Sequence, residues 1–224
     1  MISVTISDEV KAEFKELSLG IAIVEDVKVK TKCEDLSAKI KEIEDKVRSN
    51  FRLEDLKDLP IIRAYRDFYW KIKIDPTKQR PSAEALIRRI LRGRSIPKIN
   101  CAVDAYNLIS ILTHISIGAY DLDKIAGPLT LRWSRDEEKF KGIGEEEKQI
   151  KRQLVIADSE KIINLYPHRD SDFTKITKET KRILIIACGA PRIPSNLVLE
   201  AAEKAAKSIV EFCGGKIVKC WLVK

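Results

Sequence analysis

The sequence predicts an α+β fold with a largely antiparallel or mixed sheet, built as one compact unit. Three observations carry this. Apolar residues alternate at period two in some segments and recur at helical spacing in others. The two kinds of segment intermix without a regular strand-helix repeat. No internal repeat, low-complexity tract or Gly/Ser/Pro-rich linker divides the 224 residues.

In chain order, Ile2, Val4 and Ile6 alternate with polar residues as in a half-buried strand. A short amphipathic segment from about Asp8 to Leu17 follows, with Gly20 expected to break it. Ile21 to Val24 reads as a buried strand continuing through Val27 to Lys30. Thr31 and Glu34 stand at capping-box spacing ahead of a helix with Leu36, Ile40, Ile43 and Val47 on one face. Leu53 to Trp70 is helical, with Pro60 splitting it or opening its second half. Ser82 is expected to cap a helix burying Leu86, Ile87, Ile90 and Leu91, with Gly93 as its stop. Another helix runs from about Asn100 to Thr113. Short strands are expected at Leu129–Trp133, Leu154–Ala157, Lys161–Leu165 and Ile183–Ala187. Ser195 would cap a long helix ended by Gly214-Gly215, and Lys216 to Lys224 forms a final strand with Val218, Cys220 and Leu222 on one face.

Composition narrows the function. At 44% hydrophobic and 34% charged residues, the chain can bury an ordinary core beneath a well-solvated surface. It has no apolar run of the roughly 18 residues that a membrane helix needs. Met1 to Thr5 lacks the pattern of a signal peptide, so a cytoplasmic location and no membrane partner are expected. The five cysteines are widely spread and are expected to be reduced thiols.

The formal charge is +8, and its distribution matters more than its size. Between Lys71 and Lys98 stand nine basic residues against Asp75 and Glu84 alone, a local excess of +7 in 28 residues. Clustered positive charge is what a phosphate backbone selects, through counterion release. The alternative is a solvated face opposite an acidic segment such as Glu145-Glu146-Glu147.

Several chemistries are missing from the sequence. There is no phosphate-binding loop ending in Gly-Lys-Ser/Thr, no dinucleotide glycine fingerprint, no nucleophile elbow and no paired-histidine zinc helix. With two histidines and no zinc-finger cysteine spacing, neither a metal nor a cofactor is expected. What remains is binding, or hydrolysis of an already activated bond by a positioned water.

Two segments resemble a site. Asn100, Asp104 and Asn107 fall on one helical stripe, although Asn and Asp are weak helix formers. Either Asn100 is simply the N-cap while Asp104 and Asn107 bind a neighbouring loop, or the three line a pocket. The stretch Tyr166 to Thr180 gathers His168, Arg169, Asp170, Ser171, Asp172, Thr174, Thr177 and Thr180 between two predicted strands. Carboxylates suit an ammonium, hydroxyls a carbonyl, and arginine a phosphate. An ordinary hydroxyl-rich turn is the alternative.

In this order, Pro81–Gly93, Ile96–Asn107, the Gly-Ala-Tyr-Asp-Leu-Asp-Lys run at 118–124, Val155–Asp158 and Arg169–Thr180 resemble the B3/B4-type editing domain of the phenylalanyl-tRNA synthetase beta subunit and its free-standing relatives. The resemblance spans about residues 81 to 215. It implies a domain at 76–224 behind a variable N-terminal part at 1–75, and a B3/B4-like mixed sheet with packed helices. It further implies a tRNA-binding protein that hydrolyses mischarged aminoacyl-tRNA in trans, with His168, Asp170 and Thr180 catalytic. Asn100, Asp104, Asn107, Arg169, Ser171, Thr174 and Thr177 would bind substrate, and Arg88, Arg89, Arg92, Arg94 and Lys98 would hold the tRNA. A synthetase is a further implied partner. A non-catalytic tRNA- or amino-acid-binding module and a synthetase-associated interaction domain are the alternatives. The chain departs from the family pattern at Arg152-Gln153, where a Gly-Glu pair is common, and at Tyr166 to Arg169, which replaces a glycine-rich pocket wall. In the synthetase this type of domain hydrolyses tyrosine wrongly attached to the phenylalanine tRNA, and these departures imply a narrower or differently charged pocket.

Overall fold

The computed structural model describes residues 2–224. In chain order the elements are β1 (Val4–Ile6), α1 (Asp8–Glu13), β2 (Leu19–Glu25), α2 (Glu34–Asn50), α3 (Pro60–Lys71), α4 (Ser82–Leu91) and α5 (Cys101–Thr113). Then follow β3 (Ser116–Asp121), β4 (Leu129–Trp133), β5 (Lys139–Lys141), β6 (Glu147–Gln149), β7 (Leu154–Ala157), β8 (Ile162–Leu165), β9 (Arg169–Asp170), β10 (Ile183–Cys188), α6 (Ser195–Cys213) and β11 (Lys216–Val223). Single 3-10 turns occur at Asp55–Asp58, Leu122–Lys124 and Asp172–Thr174.

These strands form two main sheets and a hairpin. One sheet has the order β11-β2-β10-β3 and is antiparallel throughout. The other has the order β1-β4-β7-β8-β9, with β1 parallel to β4 and the remaining pairs antiparallel. Strands β5 and β6 pair with each other. The fold is thus α+β with mixed sheets, as the sequence predicts. Helix α6 packs on the first sheet and against α5, and one continuous apolar core runs beneath them. Among the described residues no helix is long and apolar enough to cross a membrane.

The N-terminal segment is built into this framework. Strand β2 lies between β10 and β11, and β1 extends the second sheet along β4. Gly20 does not break the chain; it sits inside β2. A Cβ there would lie 2.3 Å from the Val198 carbonyl oxygen, so the missing side chain lets the first turns of α6 rest on the sheet. The strand ends at Glu25, because Asp26 takes a left-handed turn at φ 61°, and residues 27–30 are not paired as a strand.

Helix termini differ from expectation in three places. The Thr31/Glu34 box does not form: Cys33 is the N-cap and makes no side-chain hydrogen bond. Ser82 and Ser195 are the first helical residues rather than caps, since Pro81 and Pro194 occupy the cap positions. Asn100 is a true N-cap, its Oδ1 accepting from the Val103 amide at 3.0 Å. Pro60 opens α3 at its first position, where it lacks only an amide that would have no helical partner. Leu36, Ile40, Ile43 and Val47 are buried along α2 as the spacing predicts. In α4 the buried apolar face is Ala83, Ile87 and Ile90, while Leu86 and Leu91 are half-buried.

Strand β3 has no counterpart in the sequence reading. All six of its residues are buried, so no alternation marks it. The thiol expectation also fails at one pair. Cys101 at the start of α5 and Cys213 at the end of α6 form a disulfide, while Cys33, Cys188 and Cys220 are free. The two residues are 112 apart in sequence, and only the packing of α5 on α6 brings them together.

Candidate functional site: a basic groove and a buried polar centre

Helix α4 turns its apolar face inward, which throws its arginines to the outside. They do not share one role. Glu84 is fully buried and accepts from Arg66 Nη1 at 3.0 Å and from Arg88 Nε at 2.6 Å. Arg88 is therefore held as the partner of a buried carboxylate. Arg89 donates from Nε to the Ser95 carbonyl at 2.5 Å, which fixes the turn after the helix but leaves the side chain exposed. Arg92, Arg94 and Lys98 are exposed. A cavity of 290 Å³ is lined by Lys78, Arg80, Ala85, Arg88, Arg89, Arg92 and Arg94, with no carboxylate among its lining residues. Arg80 Nε is buried there without a hydrogen-bond partner. The acidic 145–147 segment does not neutralise this groove: Glu145 pairs with Arg169 and Lys148, and Glu147 with Lys139.

The polar stripe on α5 works mostly on its own helix start. Beyond capping, Asn100 donates from Nδ2 to the Ile176 carbonyl at 3.4 Å, which ties the helix to the 172–180 loop. Asp104 is buried and accepts from the Ile99 amide at 2.9 Å. Burial raises its carboxyl above the ordinary value, opposed by that amide. Asn107 is half-buried farther along.

The 166–180 segment divides in two. Asp170, on β9, is half-buried and accepts at Oδ1 from the Tyr120 hydroxyl at 2.7 Å and from Asn164 Nδ2 at 3.0 Å. Desolvation pushes its carboxyl upward, offset by these two donors and by the Arg169 charge. Gly118 on β3 makes room for this cluster, since a Cβ would stand 2.5 Å from the Tyr120 hydroxyl and 3.0 Å from Asp170 Oδ1. Tyr106 on α5 is also buried. Burial foremost, then the Asp170 and Asp104 charges, raises its phenol above the ordinary value.

The other polar residues are used internally. Ser171 is fully buried, and its Oγ accepts from the Phe173 amide. Thr174 is fully buried with no partner for its hydroxyl. Thr180 is buried; it donates to Asp121 Oδ2 at 2.8 Å and accepts from the Thr177 amide at 3.0 Å, closing a turn. Arg169 pairs with Glu145. His168 faces elsewhere, into a cavity of 480 Å³ lined also by the chain after α3 and the 151–154 stretch. Its burial lowers the imidazole to about 4, so the ring is neutral at physiological pH. Neither that cavity nor the basic groove is lined by Asp104 or Asp170.

Comparison with known proteins matches residues 64–214 to the family described as the B3/4 domain. The chain belongs to that family. Among curated relatives, this B3/4 domain is 31% identical over 174 residues to the phenylalanine–tRNA ligase beta subunit of Carboxydothermus hydrogenoformans, covering 66% of the chain and 22% of the relative. It is 26% identical over 153 residues to the same subunit of Haemophilus ducreyi, covering 58% and 19%. The chain therefore spans about a fifth of the length of these relatives. An N-terminal fragment of the Pyrococcus horikoshii phenylalanyl-tRNA synthetase beta subunit shares its fold at a TM-score of 0.52 and 18% identity, covering 96% of the chain and 50% of the fragment. The shared fold thus takes in nearly the whole chain, including the part before the family match begins.

Tyr106, Tyr120 and Asn164 are not singled out by sequence reasoning. Tyr106 lies inside the Asn-x-x-x-Asp-x-x-Asn string and Tyr120 inside Gly-Ala-Tyr-Asp, but a buried tyrosine has no sequence mark that separates it from core. Asn164 sits in an apolar strand run, and that lone amide among Ile162, Ile163 and Leu165 is the one signal that points to it.

Proposed function

We propose that this B3/4 domain binds tRNA through the arginine groove beside α4 and acts on the aminoacyl end in trans, with Asp170 as the group nearest the chemistry. The observation that carries the first half is a concavity with no lining carboxylate, where Lys78, Arg80, Arg89, Arg92 and Arg94 stand beside the Glu84-paired Arg88. Such a surface releases counterions when phosphates enter it. The second half rests on family membership and on Asp170, a half-buried carboxylate with a raised pKa among hydroxyl and amide donors. An aminoacyl ester is an activated bond, so orienting a water and its carbonyl is enough to hydrolyse it. This reading puts the protein in the cytoplasm, where tRNA is charged, and a synthetase is a natural partner.

The non-catalytic binding module is favoured by a different observation. Ser171, Thr180 and Asp170 already have intramolecular partners, and Tyr120, which bonds Asp170, is itself buried. Deacylation of a panel of mischarged tRNAs separates the two. Turnover that disappears in Asp170→Ala while tRNA binding persists supports the hydrolase; absent turnover with salt-sensitive binding supports the module. For the groove, Arg89, Arg92 and Arg94 are changed together to alanine, leaving Arg88 to its buried partner. The slope of log K against log salt should then flatten by about 0.9 for each phosphate that is no longer neutralised. An unchanged slope refutes the groove as the RNA-binding surface.

A further inference from the structure

A second concavity has no place in that reading. It lies between the end of α3, the 75–79 turn and the 151–154 stretch, with a volume of 480 Å³, within the usual range for small-ligand pockets. Four cations line it, Lys73, Lys78, Lys151 and Arg152, against the single carboxylate of Asp75. Asp75 is itself engaged, accepting at Oδ1 from the Thr77 amide and hydroxyl at 2.8 and 2.6 Å. That balance selects an anionic group, and the separation of the cations between two chain segments suits a phosphate held from both sides.

The remaining lining has another character. Ile74 and Leu154 offer apolar wall, and Gln79 and Gln153 offer two amide forks. The His168 ring also lines the cavity. An amide fork pairs with the N6/N7 edge of adenine in a bidentate manner. Phosphate, apolar faces and a heterocycle edge are the three demands that this lining meets together.

We propose that the His168 cavity is a binding site for a free adenine mononucleotide, separate from the Asp170 centre. Lys78 lines both this cavity and the arginine groove, so an occupied cavity draws one cation away from RNA in the groove. Nucleotide binding would therefore weaken RNA binding, and RNA would weaken nucleotide binding by the same factor.

The test uses the full chain and the fact that it has only two histidines. Imidazole proton resonances are followed by NMR during separate titrations with AMP, adenosine, inorganic phosphate and a short RNA, with His114→Gln giving the assignment. The expected result is a saturable shift of the His168 signal with AMP while His114 stays in place. Lys151→Glu combined with Arg152→Glu should weaken AMP by roughly tenfold or more. Adenosine and phosphate should each bind more weakly than AMP. A His168 signal unmoved by millimolar AMP overturns the proposal. Phosphate acting as well as AMP overturns the nucleotide assignment, and a shift with RNA alone assigns the cavity to a polynucleotide instead. Salt-dependent RNA binding with no AMP response would leave the groove reading intact, whereas an AMP response without RNA binding would sink only the groove.

Discussion

Glu84 is the position at which the structure makes its sharpest energetic statement. Its carboxylate is fully buried, and both charges that compensate it are arginines, Arg66 at 3.0 Å and Arg88 at 2.6 Å. Glu84→Gln keeps the size and removes the charge, which leaves two guanidiniums facing a neutral amide. Removing one member of a buried ion pair costs about 3–5 kcal/mol. Because the arginine side chains keep 17% and 15% of their exposure, water relieves part of this, and the low end, about 3 kcal/mol, is expected. That is a large fraction of the ~5–15 kcal/mol stability of an ordinary domain. The assay is urea denaturation at neutral pH, reading the shift in midpoint at constant slope. RNA binding measured on the same variant should persist, since Arg89, Arg92 and Arg94 do not depend on Glu84. A loss below about 1 kcal/mol, the value of an exposed ion pair, would refute the separation of a structural arginine pair from a free binding set.

Three other perturbations have definite expected outcomes. Reducing the Cys101–Cys213 disulfide, or replacing Cys101 with Ala, should cost roughly 5 kcal/mol, because the bond closes a loop of 112 residues; guanidinium melts with and without reductant measure this, and identical melts count against the crosslink. His168 should titrate near 4 by NMR. Its folded pKa lies below the unfolded value, so the unfolded chain binds the proton first, and stability should fall by about 3 kcal/mol as pH drops from about 6.5 towards 4. His168→Gln should remove that component of the slope, and an unchanged profile refutes the burial argument. Gly118→Ala should cost about 2 kcal/mol through overpacking against Tyr120 and Asp170. Adding Tyr120→Phe removes the nearest obstructing atom, so the double variant should lose less than the sum; strict additivity in thermal melts would contradict the geometry.

Much of the local structure is legible along the chain. The helical stripes of α2 and α6, the proline start of α3, the Asn100 cap and the apolar runs of β7, β8 and β10 depend on neighbours within a few residues, and those neighbours are written next to one another. The basic cluster is equally legible, because charge density along a helix needs no tertiary context. Gly20, β3 and the failed Thr31/Glu34 box are not. Gly20 is read by the Val198 carbonyl, and β3 is covered on both faces, so the deciding partner lies far away in the chain.

The same distinction runs through the functional residues. Residue type marks Arg88 and Arg92 alike, yet burial of Glu84 makes the first structural and leaves the second free. His168 and Asp170 are two residues apart, and the sequence offers them as one site. Only the folded chain turns the carboxylate towards Tyr120 and Asn164 and the imidazole into another cavity. Spacing along a chain fixes which groups are available; which of them share a volume, and which are already satisfied, is set by packing between segments that the spacing does not record.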